Sequence, residues 1–290
     1  MKKNNFNLPT ALAIHDLSCF GKCALTVILP TLSAMGVQAV PIPTAFLSTH
    51  TGGFEGFYFE DLTGAMDKIA DHLVSVGATA DAVYTGFLGS EEQISTVSGI
   101  IDRFGAADSE GNKPLILVDP VMGDDGRLYS TYNNIMVEGM KRLCEKADVI
   151  TPNVTEACFL TGEEMIDTAS MTESQVCEYA EGLCRKLLRF GVNKIAITGI
   201  HYGGDKVGTY GYDGGDAFLY GREHVNKSYP GTGDLFASVL LGDMLRGRDF
   251  KAAIVSASEF TGRVIEYSSK FDTPTRNGVA FEPFLSELGK

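Results

Sequence analysis

The sequence lacks any apolar run long enough to cross a lipid bilayer, for which about 20 consecutive apolar residues are needed. Its first residues, Met1–Asn5, lead into a short strand-like stretch and not into the long apolar core of a signal peptide. We therefore expect a cytoplasmic protein that does not enter a membrane.

Positive charge is also scarce. The chain has 24 Lys and Arg against 37 Asp and Glu, a formal net charge of -13, with no local cluster of basic residues. Such a chain repels polyanions, so nucleic acid is not expected as a partner. Any phosphate group must be bound locally, by backbone N–H groups and a cation.

The sequence has no Cys-x-x-Cys pair, and the spacing of its five histidines forms neither a Ser-His-Asp set nor a metal-binding pair. Most of the six cysteines fall within apolar helical patterns, so buried free thiols are expected in place of zinc ligands or disulfides. The cysteines are Cys19, Cys23, Cys144, Cys158, Cys177 and Cys184.

The chain does contain a regular alternation of short apolar runs and longer helical patterns, which is typical of a parallel sheet covered on both faces. The predicted strands are Ala11–His15, Val37–Ile42, Ala82–Thr85, Leu115–Val118, Val149–Ile150 and Lys194–Thr198. The predicted helices are Lys22–Met35, Glu60–Val76, Glu91–Phe104, Tyr132–Lys146, Val154–Thr161, Glu173–Phe190, Asp234–Arg246, Phe250–Ser268 and a short tail helix. We predict one three-layer α/β/α domain over residues 1–290, with a mostly parallel central sheet.

Two segments depart from this alternation. Val207–Tyr212 and Ala217–Gly221 flank Asp213–Asp216 and predict an antiparallel hairpin at the edge of the sheet. Pro43–Phe57 is rich in Gly, Thr and aromatic residues and is predicted to be a mobile segment over the site. His50 lies in this segment. It could contact the substrate, or it could form hydrogen bonds that order the loop.

Polar residues or glycine follow every predicted parallel strand. In such folds ligands bind outside the carboxyl ends of the strands, so these residues predict one shared crevice. They are His15-Asp16, Thr44, Gly86, Asp119, Thr151-Pro152-Asn153 and Thr198-Gly199.

The segment Tyr229–Ala237 carries the strongest chemical signal. Gly231 and Gly233 allow a tight turn that leaves N–H groups unpaired, and the following apolar run is helical in spacing. A helix N-terminus of this kind favours an anion or the negative charge that develops on a transferring phosphoryl group. Asp234, in the first turn, could be a helix-stabilising charge, a metal ligand or a general base.

Two further carboxylates follow strands. Asp119 opens Asp119–Asp124 and could form an Asx-turn or anchor the Mg²⁺ of a nucleotide. Glu156 stands three residues after Asn153, which fits a capping box, but a glutamate beside triphosphate and Mg²⁺ could also order the waters of the metal.

Taken together, Gly231–Asp234, Asp119–Asp124 and Thr151-Pro152-Asn153-x-x-Glu156 resemble the vitamin-kinase branch of the ribokinase-like superfamily. Within it, the segments Thr44–Thr51 and Gly86–Ser90 are similar to pyridoxal kinases. The resemblance implies ATP-dependent phosphorylation of the 5′-hydroxyl of pyridoxal, pyridoxine or pyridoxamine. It further implies a homodimer and Mg²⁺, with a monovalent cation such as K⁺ as a further candidate.

The roles that the resemblance implies fall into three groups. Asp234 is the catalytic base, and the N–H groups of Gly231, Thr232, Gly233 and Asp234 form the anion hole. The metal and its waters are ordered by Asp119 and Glu156. ATP lies along Asn153, Thr198, Lys227, Tyr229, Gly231 and Gly233.

The vitamin pocket is implied to contain Asp16, Thr44, His50, Tyr84 and Asp234. Asp16 is a departure, because pyridoxal kinases carry Ser at this position and a Gly-Asn pair where Ala24-Leu25 stand here. Asp16 is similar instead to the substrate-binding Asp of the wider superfamily. We therefore expect pyridoxamine or pyridoxine to be used better than pyridoxal, unless Asp16 only caps the helix near Lys22 or turns to solvent.

Other activities remain open from the sequence. A hydroxymethylpyrimidine kinase or a sugar kinase of the same superfamily would share the middle motif, although hydroxymethylpyrimidine kinases usually carry a Cys in the anion-hole loop and lack this histidine segment. A vitamin- or nucleotide-binding regulator that has lost turnover would not need a base at Asp234.

Overall fold

The structure is a computed structural model that describes residues 8–107 and 111–289. The N-terminal residues Met1–Asn5, discussed above for targeting, lie outside the described residues. Within the described residues, no helix is both long and apolar enough to cross a membrane.

The centre of the fold is a nine-stranded sheet with the strand order β11-β10-β9-β8-β5-β4-β1-β2-β3. The six strands from β9 to β2 run parallel, whereas β10, β11 and β3 pair antiparallel at the two edges. The strands are β1 Thr10–Phe20, β2 Gln38–Thr49, β3 Phe59–Asp61, β4 Ala82–Thr85, β5 Leu115–Val118, β6 Gly123–Asp124, β7 Arg127–Leu128, β8 Val149–Ile150, β9 Lys194–Tyr202, β10 Lys206–Asp213 and β11 Asp216–Glu223. The mostly parallel sheet and the edge hairpin of β10 and β11 are as predicted.

Helices cover both faces of this sheet and create two separate apolar cores. The helices are α1 Leu25–Ala34, α2 Thr63–Ser75, α3 Glu91–Phe104, α4 Asn134–Cys144, α5 Val154–Thr161, α6 Glu173–Leu187, α7 Thr232–Leu245, α8 Phe250–Ser269 and α9 Leu285–Leu288. Successive residues of a strand point to opposite faces, so Val83 of β4 enters the core with α2–α6 while Tyr84 enters the core with α1, α7 and α8. This arrangement confirms the α/β/α prediction.

The prediction for residues 43–57 was wrong in its first half. β2 continues to Thr49, because residues 45–47 pair with β3, a short strand whose last two residues had been predicted as the start of a helix. Proline has no backbone N–H to donate to a neighbouring strand. Pro41 and Pro43 are tolerated because this part of β2 pairs only with β1, and β3 does not reach it. The mobility of residues 50–57 stays a prediction.

The connection from β1 to α1 also differs from the expectation. β1 runs on to Phe20, with a register shift between His15 and Leu17, instead of ending at His15. Helix α1 begins three residues later than predicted, because Lys22 and Ala24 both have φ of 51°, outside the helical region. These two residues shape the loop against which the candidate site is built.

Candidate active site

The N-terminus of α7 has the geometry of an anion-binding site. Gly231 is the N-cap with φ of 77°, and a Cβ at this position would lie 2.1 Å from the Lys22 carbonyl oxygen, so only glycine fits. The first hydrogen bond of the helix runs from the Leu235 N–H to the Gly231 carbonyl, at 3.0 Å. The amides before Leu235 therefore have no acceptor within the helix. The helix starts two residues earlier than predicted, but Asp234 lies in its first turn as expected.

Asp234 is partly buried, and its carboxylate is held from the opposite side of the site. The Ala24 N–H donates a hydrogen bond to Asp234 Oδ2 at 2.8 Å. Burial raises the pKa of Asp234 to about 6, with Asp16 adding to the rise and the Ala24 hydrogen bond opposing it. A carboxylate with this pKa is largely charged at neutral pH and is more basic than an exposed aspartate, as a general base requires.

Ala24 places this N–H by an unusual backbone conformation, with φ of 51° and ψ of -135°. The conformation is one that glycine adopts readily and alanine does not, so the surrounding structure must hold it. Because a backbone donor leaves no signature in the sequence, Ala24 was not among the predicted site residues.

Asp119 follows β5 and lies against the start of α7. Its Oδ1 accepts a hydrogen bond from the Thr151 hydroxyl at 2.9 Å, and its Oδ2 lies 4.0 Å from the position of a Cβ on Gly233. Burial raises the pKa of Asp119, and the charge of Asp234 raises it further. One carboxylate oxygen is therefore fixed by the protein, while the other faces the helix terminus.

Glu156 has the capping role that the sequence allowed, and its role toward a metal stays a prediction. It forms the predicted capping box with Asn153, accepting the Asn153 N–H at 2.8 Å, and its other oxygen accepts the Met122 N–H at 3.1 Å. Burial and the nearby Asp119 charge raise the pKa of Glu156. The capping role is confirmed, and it places a buried carboxylate beside Asp119.

Asn153 and Thr198 are brought together as neighbouring strand ends through an isolated parallel bridge. The Asn153 amide also donates to the Gly123 carbonyl at 2.9 Å, which ties it to the β6–β7 turn. Lys227 is exposed and donates to the Ser269 carbonyl at 2.8 Å, whereas the ring of Tyr229 is buried. Of the residues implied to lie along ATP, Lys227 is therefore the one directed toward the end of α8.

Asp16 is buried near Asp234 and accepts a hydrogen bond from the Ser18 hydroxyl at 2.8 Å. Burial raises its pKa, and the Ser18 hydrogen bond opposes the rise. The alternative of a helix cap is wrong, because α1 has Ala24 as its N-cap with no side-chain cap. A solvent-facing Asp16 is excluded by its burial.

His50 has both ring nitrogens engaged. Its Nδ1 accepts the Gly52 N–H at 3.0 Å, so its Nε2 carries the proton and donates to the Arg276 carbonyl at 2.7 Å. The Arg276 guanidinium in turn donates to the Gly53 carbonyl at 3.0 Å and lies 5.0 Å from the centre of the Phe54 ring. These contacts favour the loop-structuring interpretation of His50. Arg276 was missed by the sequence analysis, because 226 positions separate it from His50.

Thr44 and Tyr84 are both buried. The Thr44 carbonyl accepts a hydrogen bond from the Gln93 amide at 2.9 Å, which fixes the backbone of β2. Tyr84 is 0% exposed, and the edge of its ring packs on His15 with the ring centres 4.3 Å apart. Tyr84 therefore lies beneath the crevice and not on its surface.

Similarity to known proteins identifies the family of this chain. The model of the phosphomethylpyrimidine kinase family matches residues 25–278. A Bacteroides thetaiotaomicron protein with the provisional name phosphomethylpyrimidine kinase, crystallised with pyridoxal, is 37% identical, with a TM-score of 0.87 over 97% of this chain and 96% of its own. Pyridoxal kinase from Lactobacillus plantarum is 29% identical, with a TM-score of 0.85 over 97% of both chains.

Another relative is named for pyrimidine substrates. The hydroxymethylpyrimidine/phosphomethylpyrimidine kinase of Bacillus subtilis is 26% identical over 88% of this chain and 89% of its own. Because the family model covers most of the sequence and the fold matches throughout, the chain belongs to the phosphomethylpyrimidine kinase family and is a kinase of that family.

Proposed function

We propose that this kinase transfers the γ-phosphoryl group of ATP to the 5′-hydroxyl of a B6 vitamer. The observation that carries the proposed phosphoryl transfer is the juxtaposition of Asp234, with a pKa near 6, and the amides at the start of α7. A base for a hydroxyl and donors for a phosphoryl group thus stand within one helical turn.

The proposed transfer forms a bond between the acceptor oxygen and the γ-phosphorus and breaks the bond between that phosphorus and the β–γ bridging oxygen. Asp234 takes the proton of the attacking hydroxyl. The amides of Thr232 and Gly233 donate to the phosphoryl oxygens, on which negative charge is spread in the transition state. The Ala24 N–H keeps the Asp234 carboxylate oriented and charged before the hydroxyl arrives.

Magnesium fits the residues on the nucleotide side. Two buried carboxylates with raised pKa values, Asp119 and Glu156, need a cation to remain charged together. The described residues contain no cluster of three or more acidic, histidine or cysteine side chains able to hold a metal. The pair of carboxylates suits Mg²⁺, which keeps several waters and is held by one or two carboxylates together with phosphates. When bound, Mg²⁺ would neutralise the charge on the phosphates.

On the acceptor side, we assign Asp16 the recognition of the vitamer. As a carboxylate it accepts hydrogen bonds and donates none, so an ammonium or hydroxyl is a better neighbour than an aldehyde oxygen. Pyridoxamine and pyridoxine are the proposed preferred acceptors.

Hydroxymethylpyrimidine is the second candidate acceptor. It is favoured by the name of the matching family and by the Bacillus subtilis relative, and it offers the same chemistry, a hydroxymethyl group on a nitrogen heterocycle. Phosphorylation of an already phosphorylated pyrimidine is less well supported, because Asp16, Asp119 and Asp234 would all repel a dianionic acceptor.

The proposal is tested by ADP release with pyridoxal, pyridoxine, pyridoxamine, hydroxymethylpyrimidine and its monophosphate, with each product identified by mass. We expect the highest kcat/KM with a B6 vitamer. A higher kcat/KM with either pyrimidine would contradict the proposal.

Asp234→Asn should lower turnover by roughly 10²–10⁴-fold while leaving nucleotide affinity within a few-fold, since a positioned general base contributes in that range. Asp216→Asn, a change at the exposed tip of the edge hairpin, is the matched control and should keep the parental rate. A near-parental rate for Asp234→Asn would show that Asp234 is not the base.

A further inference from the structure

Three buried polar side chains next to the candidate active site lack hydrogen-bond partners among the described residues. They are Tyr84 and Ser238, both 0% exposed, and His15, 1% exposed. Among the described residues, no partner is found for the Tyr84 hydroxyl, the Ser238 hydroxyl or His15 Nε2. A buried polar group left unsatisfied costs about 1–3 kcal/mol, so three such groups in one place call for an explanation.

The strand register places these groups on the same face as the site. Tyr84 of β4 stands between Ala13 of β1 and Leu117 of β5. Because side chains alternate along a strand, His15 and Asp119 lie on the same face as Tyr84, one step closer to the carboxyl ends of the strands. This face is the one covered by α7.

Helix α7 contributes the side chains that face this part of the sheet. Asp234 and Ser238 are four residues apart in α7, so their side chains lie one above the other. The sheet and the helix therefore both present a carboxylate above and a hydroxyl below: Asp119 above Tyr84, and Asp234 above Ser238. The carboxylates belong to the site and the hydroxyls form a layer beneath it.

The electrostatics agree with this placement. Burial raises the pKa of Tyr84 well above its usual value, the charges of Asp119 and Asp234 raise it further, and the Ser238 hydroxyl opposes the rise. The Ser238 hydroxyl thus lies close enough to the Tyr84 phenol to affect its pKa, although the two oxygens do not meet hydrogen-bond geometry. The raised pKa favours the protonated phenol, which can donate a hydrogen bond.

We propose that Tyr84 and Ser238 are positioning residues, which together hold one ordered water that donates a hydrogen bond to the underside of the Asp234 carboxylate. Buried water commonly satisfies such groups by making about three hydrogen bonds, and two hydroxyls and a carboxylate supply that number. The inference rests on the proposed role of Asp234 as base. It reassigns Tyr84 from the vitamin pocket to the support of the base.

The role predicts a change in the pH profile that a purely structural role would not produce. Without the donor, Asp234 is protonated more easily, so Tyr84→Phe should move the acid limb of kcat/KM upward by about 1 pH unit. The deficit should be roughly tenfold below the parental midpoint and should vanish at alkaline pH. Other groups around Asp234 stay in place; they are Asp16, Cys23, the Ala24 N–H, Asp119 and Tyr129.

Tyr132→Phe is the matched control. Tyr132 is also a buried tyrosine whose hydroxyl lacks a partner among the described residues, but it lies in the core on the other face of the sheet. The Tyr132→Phe variant should therefore leave the acid limb of the kcat/KM profile at its parental pH. Ser238→Ala should act in the same direction as Tyr84→Phe, and the double variant should shift the limb less than the sum of the two, because both hydroxyls serve one water.

A second measurement needs no substrate. The side-chain carboxyl ¹³C signal of Asp234, assigned by its loss in Asp234→Asn, can be titrated by NMR in the ligand-free protein. We expect a higher midpoint in Tyr84→Phe than in the parent or in Tyr132→Phe. An unchanged midpoint, or a loss of rate that is the same at every pH, would overturn the inference. If no B6 vitamer is phosphorylated but the midpoint still moves, the proposed substrate fails and this inference stands.

Discussion

At the scale of single residues, Asp16 is the side chain that we propose to recognise the acceptor. It is the third carboxylate near the point of transfer, and it is buried with a raised pKa, so its charge has to be stabilised by whatever binds beside it. A charge-assisted hydrogen bond from an acceptor ammonium or hydroxyl contributes about 1.5–3 kcal/mol, or roughly tenfold to a hundredfold in preference.

We expect Asp16→Ser to narrow or reverse the preference for pyridoxamine and pyridoxine over pyridoxal, measured as kcat/KM for the three vitamers. Asp16→Asn separates charge from size, because it keeps the shape and removes the charge, and it should give most of the same effect. The preference of the parent should weaken on acidification, since a carboxyl with a raised pKa is protonated first. An unchanged ranking in both variants would mean that Asp16 does not select the substrate.

At the scale of elements, the start of α7 depends on one glycine. Gly231→Ala should abolish most activity and destabilise the fold by roughly 2–4 kcal/mol, because a Cβ would lie 2.1 Å from a backbone oxygen in addition to the strain of φ at 77°. The measurement is urea unfolding together with ADP release.

Gly36→Ala is the control for Gly231→Ala. Gly36 has the same φ of 77° but no atom within 4 Å of the added Cβ, so the change should cost about 1 kcal/mol and leave turnover intact. Equal destabilisation of the two variants would contradict the steric argument.

The segment between β2 and β3 contacts the C-terminal part of the chain through Arg276. We expect Arg276→Ala to accelerate hydrogen exchange in residues 50–56, because it removes the hydrogen bond to the Gly53 carbonyl and the contact with Phe54. Bound acceptor and a nonreactive ATP analogue should slow exchange there if the segment closes over the site. Arg263→Ala, which loses a surface ion pair with Glu287, should leave this segment unchanged.

At the scale of the whole molecule, the desolvated carboxylates of the site oppose folding once they are charged. The pKa of Asp234 is about 6 in the folded protein against 3.8 for an ordinary aspartate, so the folded state binds more protons between these values. The contribution of Asp234 to the free energy of unfolding is therefore fully present below about pH 4 and is lost as the pH rises through 6.

Asp234→Asn should therefore raise the Tm at pH 8 by roughly 2–6 °C, corresponding to on the order of 1–3 kcal/mol, and the gain should disappear near pH 4. Asp216→Asn should change the Tm by no more than about 1 °C at either pH. A lower Tm for Asp234→Asn at pH 8 would contradict the pKa assignment.

The sequence predicts the architecture well because alternating apolar runs and helices are local patterns, and strand ends follow from them. It places Asp119, Glu156 and Asp234 at the correct ends of their elements. It could not show that Tyr84 lies beneath the crevice, since a strand buried on both faces has no polar alternation to distinguish them. Nor could it find Ala24, which is 210 positions from Asp234 and acts through its backbone.

The close approach of Gly231 to the Lys22 carbonyl also limits how related sequences can differ. The loop before α1 and the turn before α7 meet backbone to backbone, so neither can change its path without the other. Across the family, insertions and conformational changes in residues 21–24 and 229–233 should therefore occur together. A chimera that exchanges one of these loops between distant relatives should fold poorly, whereas a chimera that exchanges both should recover.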